Sequence, residues 1–297
     1  MDQASKLRSA VIKKNMYQTD ISQEHTKVKE PRVMCVSSGK GGVGKTNFTL
    51  NLALALRKNG NKVVVIDADL GLANIEILLG ITPKLGLLDL IKDEVDIEDI
   101  IVEGPLGVEI ISGGAGISEI VDLPMDKLNK ILNNIYLLKD RADFILIDTG
   151  AGISKSVMAF LSASEEIIVV ITPEPTAITD GYALIKVAAR EDKEKKINLV
   201  VNKSDNEDEA QSAYAKINTA SNRFLGINVN YLGYVYNDRT VQDSVKKQVP
   251  FYIGAPTSNA SYNIDEICSK ILGTKKDKNM FNTFIRKLSN LFLGNRG

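Results

Sequence analysis

The strongest chemical signal in the chain is nine consecutive residues, Ser38-Gly39-Lys40-Gly41-Gly42-Val43-Gly44-Lys45-Thr46. Gly39, Gly44, Lys45 and Thr46 satisfy the spacing G-x-x-x-x-G-K-[ST], between an apolar run and a helical pattern where that motif must sit. Glycines at 39, 41, 42 and 44, with Val43 among them, let the backbone curl so that its N–H groups converge on phosphate oxygens. The helix opening at Asn47 adds its positive N-terminal end. Lys45 would neutralise the β- and γ-phosphates of a nucleotide, and Thr46 would offer its hydroxyl to Mg²⁺. A glycine-rich turn without a ligand is the alternative, and the Gly-Lys-Thr ending in a strand–helix context argues against it.

Two acidic segments could complete such a site. Val64-Val65-Ile66-Asp67-Ala68-Asp69 ends an apolar run with two carboxylates, and strand alternation aims Asp67 and Asp69 to one side. Phe144-Ile145-Leu146-Ile147-Asp148 has the form of four apolar residues and an aspartate, which would hold Mg²⁺ through water. The glycines after it, Gly150 and Gly152, suit a loop that follows a γ-phosphate. A further polar group, Asn202-Lys203-Ser204-Asp205, closes the run Leu199–Val201 and fits the guanine-reading string Asn-Lys-x-Asp. On residue pattern alone, adenine and guanine both stay open.

Regular elements must position these groups. Short apolar runs at Val33–Val36, Val63–Ile66, Val108–Ile111, Phe144–Ile147, Ile167–Ile171 and Leu199–Val201 read as strands buried on both faces. Helical patterns at Asn47–Lys58, Met125–Lys139 and Ala177–Ala189 alternate with them, which predicts βαβ crossovers and a doubly wound, mostly parallel α/β sheet with helices on both faces. The chemistry-bearing residues then fall at the carboxyl ends of strands, the edge where such sheets bind ligands. Composition agrees with a soluble globular protein, and 37 basic against 37 acidic side chains weigh against a broad nucleic-acid surface. Two distant cysteines, Cys35 and Cys268, argue against a disulfide framework and for a cytoplasmic setting. The polar start argues against a secretory signal, and no run approaches the roughly 20 apolar residues of a membrane span. The single histidine, His25, reads as a solvated residue.

Both ends carry separate patterns. From Asn279 to Leu293, residues Phe281, Phe284, Ile285, Leu288, Leu291 and Phe292 share one helical face, beside Lys275, Lys276, Lys278, Arg286 and Lys287. Such a helix suits the interface of an anionic membrane, and docking on its own domain is the competing reading. At the other end, Asp2-Gln3-Ala4-Ser5-Lys6-Leu7-Arg8 reads as a short capped helix suited to a groove. Expected boundaries are 1–31 for a partner-binding helix and linker, 32–273 for the P-loop domain and 274–297 for a hinge and membrane helix.

Lys40 makes the glycine loop more specific, because Lys-Gly-Gly-x-Gly-Lys-Thr resembles the deviant Walker A ATPases, the MinD, ParA and FlhG proteins. Gly150, where MinD and ParA proteins usually carry proline, resembles the flagellar FlhG branch, also called YlxH or FleN. The segment Asp2, Gln3, Ala4, Leu7, Arg8 is similar to the D-Q-A-x-x-L-R motif of that branch. The resemblance implies that Lys40 crosses a homodimer interface to the partner's phosphates and that Asp69 orients the attacking water. It also implies that Asp67 stands in the outer Mg²⁺ shell and that Asn202 bonds adenine, and ATP is favoured over GTP because the loop with Lys40 and both acidic segments resemble those of the ATPases. By the same resemblance the protein hydrolyses ATP, dimerises with ATP and binds the inner face of the cell membrane peripherally. It would regulate flagellar number and placement through an FlhF-type GTPase, with flagellar C-ring proteins as further candidate partners. A MinD-type division regulator, a ParA-type DNA segregation ATPase and a non-catalytic binding switch are the rivals.

Overall fold

A computed structural model describes residues 30–69, 74–113, 123–274 and 280–294. Eight strands form one sheet: β1 (Arg32–Ser38), β2 (Val63–Ala68), β3 (Ile101–Glu103), β4 (Glu109–Ser112), β5 (Phe144–Ala151), β6 (Glu166–Ile171), β7 (Lys196–Ser204) and β8 (Asn230–Tyr236). Their order is β3-β4-β2-β5-β1-β6-β7-β8. Only β3 pairs antiparallel, with β4; the other neighbours are parallel. The six expected strands are all present. The structure adds β3 and β8 at the two edges, where short length or one-sided burial leaves no continuous apolar run.

Alternate residues of each inner strand feed opposite cores. Val33 and Cys35 of β1 and Ile145 and Ile147 of β5 face one cluster, while Met34, Val36, Phe144 and Leu146 face the other. The first core is roofed by α4 (Met125–Tyr136), α5 (Lys155–Ala163), α6 (Pro175–Glu191), α7 (Glu207–Leu225) and α11 (Met280–Gly294). The second is covered mainly by α1 (Lys45–Lys58), α2 (Asn74–Leu79), α9 (Phe251–Gly254) and α10 (Asn259–Gly273). The remaining helices are α3 (Ile97–Ile100) and α8 (Arg239–Lys246). At the amino edge of the sheet, Arg32 makes a two-pronged bond to Glu166, at 2.7 and 2.6 Å. Burial pushes the Glu166 carboxyl up, but the bonds and charge of Arg32, with Lys196, outweigh it and hold it below the usual range.

The last helix is docked on its own domain, the competing reading of its apolar stripe. Phe281, Phe284 and Leu288 are at most 1% exposed, Ile285 and Phe292 are buried, and Leu291 is partly buried against the same core. All six side chains assigned to a membrane belong here to the first core, with α11 packed on α5, α4 and β1. Phe281 stacks on Tyr136 at 6.0 Å, and Lys287 reaches Asp192 at 3.3 Å. The physical reason is that a core and a lipid interface ask for the same apolar stripe, and a core within reach takes it. The helix is therefore part of the same body as residues 32–273.

Candidate nucleotide site

The glycine loop joins β1 to α1 at the carboxyl edge, beside the ends of β2, β5, β6 and β7. Gly42 and Gly44 have φ of 78° and 87°, the left-handed torsions that let successive N–H groups converge on an anion. A Cβ on Gly39 would lie 2.1 Å from the Asp180 carbonyl oxygen, and one on Gly44 would lie 2.3 Å from Asn202 Nδ2. Asn202 Nδ2 donates to the Val43 carbonyl at 2.7 Å, and Lys203 Nζ to the Gly42 carbonyl at 2.8 Å. The end of β7 thus straps the loop from outside. The resemblance places Asn202 on adenine; in this structure one bond of its amide nitrogen goes to the loop. Asp205 accepts a bond from Asn237 at 3.0 Å, so the guanine-type string is also tied into the chain's own structure.

Beneath the loop, Lys45 Nζ lies 3.0 Å from Asp148 Oδ1 and 3.5 Å from Thr46 Oγ1. Thr49 Oγ1 donates to the same Asp148 oxygen at 2.9 Å. Asp148 is fully buried, which raises its pKa against the opposing charge of Lys45. Its other oxygen, Oδ2, has no hydrogen-bond partner among the described residues. A buried carboxylate oxygen left open beside a threonine hydroxyl is what a hard divalent cation needs, so Thr46 and Asp148 fit Mg²⁺. The bound ion would screen charge on the phosphates.

Asp67 pairs in register with Asp148 across β2 and β5. Burial first, and the Asp148 charge second, push its pKa up to about 7. Its oxygens accept the N–H of Asp69 at 3.0 Å and of Ile75 at 3.3 Å, so it organises the turn after β2. Any role toward Mg²⁺ would be superimposed on these bonds. Asp69 is brought to the same edge, where its Oδ2 accepts from Asn74 Nδ2 at 3.2 Å.

Lys40 stands on the rim and is turned onto its own chain. Its ammonium lies 3.0 Å from both Glu174 Oε2, just before α6, and Thr176 Oγ1, in the first turn of α6, and the side chain stays 40% exposed. Asn47 is turned along α1, accepting bonds from Asn51 through its carbonyl and amide oxygens. Sequence reasoning missed Thr49, Asn74, Glu174 and Thr176. The available signal for the last two was a polar stretch, Thr172 to Thr176, at the end of a buried strand on the ligand edge. Asp2, Gln3, Ala4, Leu7 and Arg8 lie outside the described residues, as do Leu70 to Ala73 and the lysines of the hinge.

A family model described as ParA, NUBPL iron-transfer P-loop NTPase, matches residues 29–272. The chain belongs to the ParA family of P-loop NTPases. Within that family it is similar to the antiactivator FleN of Pseudomonas aeruginosa, 38% identical over 81% of this chain and 86% of that protein. It is also similar to the flagellum site-determining protein YlxH of Helicobacter pylori, 33% identical over 91% of this chain and 90% of that protein. Among solved structures, MinD of Pyrococcus horikoshii complexed with Mg-ADP superimposes with a TM-score of 0.66 at 25% identity, covering 81% of this chain and 96% of that one. Membership of the ParA family makes the protein an ATPase.

Proposed function

We propose that the chain is an ATP-hydrolysing dimerisation switch that regulates flagellar number and placement, in part by stimulating an FlhF-type GTPase. The likeness to FleN and YlxH supports the flagellar role over a division or DNA-segregation role. Asp2 to Arg8 would carry the GTPase contact. In hydrolysis, the loop N–H groups and Lys45 hold the triphosphate, and Thr46 and Asp148 would hold the Mg²⁺ that screens its charge. Asp69 orients the water that attacks the γ-phosphorus, and the β–γ bridging oxygen leaves with ADP. Lys40 of the partner subunit stabilises the charge that develops there.

The observation that carries this reading is the placement of Lys40. The loop directs its ammonium to the exposed rim rather than into its own Lys45–Asp148 centre. A cation on the rim of a phosphate site is placed to serve a second molecule facing it. Lys40→Ala should abolish ATP-dependent dimers by light scattering while leaving nucleotide affinity of the monomer within about twofold. Unchanged dimerisation would overturn the role in trans.

Membrane engagement, in this proposal, follows release of α11. Undocking exposes six large apolar side chains, a gross loss on the order of 10 kcal/mol at about 2 kcal/mol each, less the chain entropy recovered. Free release in water is therefore negligible, and an anionic bilayer must replace the core as the helix leaves it. Two helices on one dimer then bind as a linked pair. Co-sedimentation with anionic vesicles should require ATP and fail with ADP or no nucleotide. Equal sedimentation in all three states would remove the switch.

A further inference from the structure

A carboxylate that orients water must be held in place, and Asn74 and Gly150 both bear on Asp69. Asp69 follows the end of β2, directly beside β5 and its glycine turn. Its backbone N–H is fixed by Asp67 at 3.0 Å. Its Oδ2 accepts from the Asn74 side chain at 3.2 Å, at the first residue of α2. Its Oδ1 stands where Gly150 has no side chain: a Cβ there would come within 3.3 Å of that oxygen and 3.6 Å of Val157 Cγ2. We infer that Asn74 and Gly150 are positioning residues for Asp69, the amide holding one carboxylate oxygen while the bare glycine lets the other stand against the carboxyl end of β5.

This arrangement joins the two loops that flank the γ-phosphate position through a single carboxylate. It rests on the reading of Asp69 as the group that orients water. The choice of glycine at 150 is not a demand of the backbone, since its φ lies outside the positive range that strains other residues. Alanine fits the main chain and meets only the carboxylate and Val157. A contact tighter than ordinary van der Waals distance shifts the oxygen by a few tenths of an ångström, and rate depends steeply on such placement.

The experiment is a mutant cycle in the full chain, read by steady-state hydrolysis, fluorescent-nucleotide binding and light scattering of ATP dimers. Asn74→Ala should lower kcat about tenfold and Gly150→Ala several-fold, with KM, nucleotide affinity and dimer formation within about twofold. Asn74→Ala placed in an Asp69→Asn background should cost nothing further, because the group it positions is already disabled. Asn74→Asp keeps the helix start and turns the contact repulsive, so it should be no better than alanine. Full kcat in both Asn74→Ala and Gly150→Ala, or a loss in Asn74→Ala that adds in full to that of Asp69→Asn, would overturn the inference. Normal turnover in Asp69→Asn itself would instead sink the role of Asp69 on which it rests.

Discussion

In the subunit the Lys40 ammonium rests between the Glu174 carboxylate and the Thr176 hydroxyl, on a surface where it and Glu174 remain substantially hydrated. An exposed ion pair of this kind is worth about 1 kcal/mol at most. A triphosphate with Mg²⁺ offers a denser and better ordered set of oxygens, so exchanging Glu174 for a facing nucleotide is favourable. On the proposed role of Lys40 in trans, the pair competes with dimerisation. Glu174→Ala should tighten the ATP dimer by up to about fivefold, measured by sedimentation equilibrium, and the gain should fall with added salt. A weaker dimer would mean that Glu174 serves the assembled state instead. The residues that sequence reading could assign here are those whose proposed partners are ligands: Gly39 to Thr46, Asp69 and Asp148 stand at a spacing that phosphates and Mg²⁺ would impose. Glu174 and Asn74 answer only to other side chains, and Glu174 is separated from Lys40 by 134 positions. No local pattern marks such a pairing.

Elements were legible in proportion to how fully they are buried. Strands β1, β2, β5, β6 and β7 are apolar on both faces because helices cover both, and their runs stand out. Strand β8 mixes tyrosines with Gly233 at an edge, and β3 has three residues, so neither produces a run. Helix α11 is the instructive case, since its stripe declares that one face is covered without declaring by what. The structure answers with the core between α4 and α5. Phe284 is 1% exposed, so Phe284→Ala should lower unfolding free energy by about 3 kcal/mol or more, through lost burial and the cavity left behind. Urea denaturation of the full chain measures it. A helix detached in solution would show a change below about 0.5 kcal/mol, the level of an ordinary surface substitution.

At the scale of the whole molecule, an equal count of acids and bases conceals their separation. Lys186, Arg190, Lys193 and Lys216 line the concavities on either side of Phe224, whose ring is 68% exposed with the Arg223 guanidinium over it. A net charge cannot register such a face. Nor could the sequence place α11 next to the strand that feeds the phosphate loop. In the fold α11 touches β1, which ends at that loop, and α5, which follows the glycine turn after β5. Both elements lead to the loops proposed to hold the γ-phosphate, so a change of either loop on ATP binding would reach the bed on which α11 lies. Coupling of this kind shifts a docking equilibrium only by the difference in free energy between the two bed shapes. Because docking buries so much apolar surface, ATP alone should loosen the helix without releasing it. Amide exchange within Met280–Gly294 should therefore be slow with ADP, modestly faster with ATP, and change most when ATP and anionic vesicles are present together. Exchange that is equally slow in all three conditions would leave α11 a permanent part of the core, and any membrane contact would then have to be made by another surface.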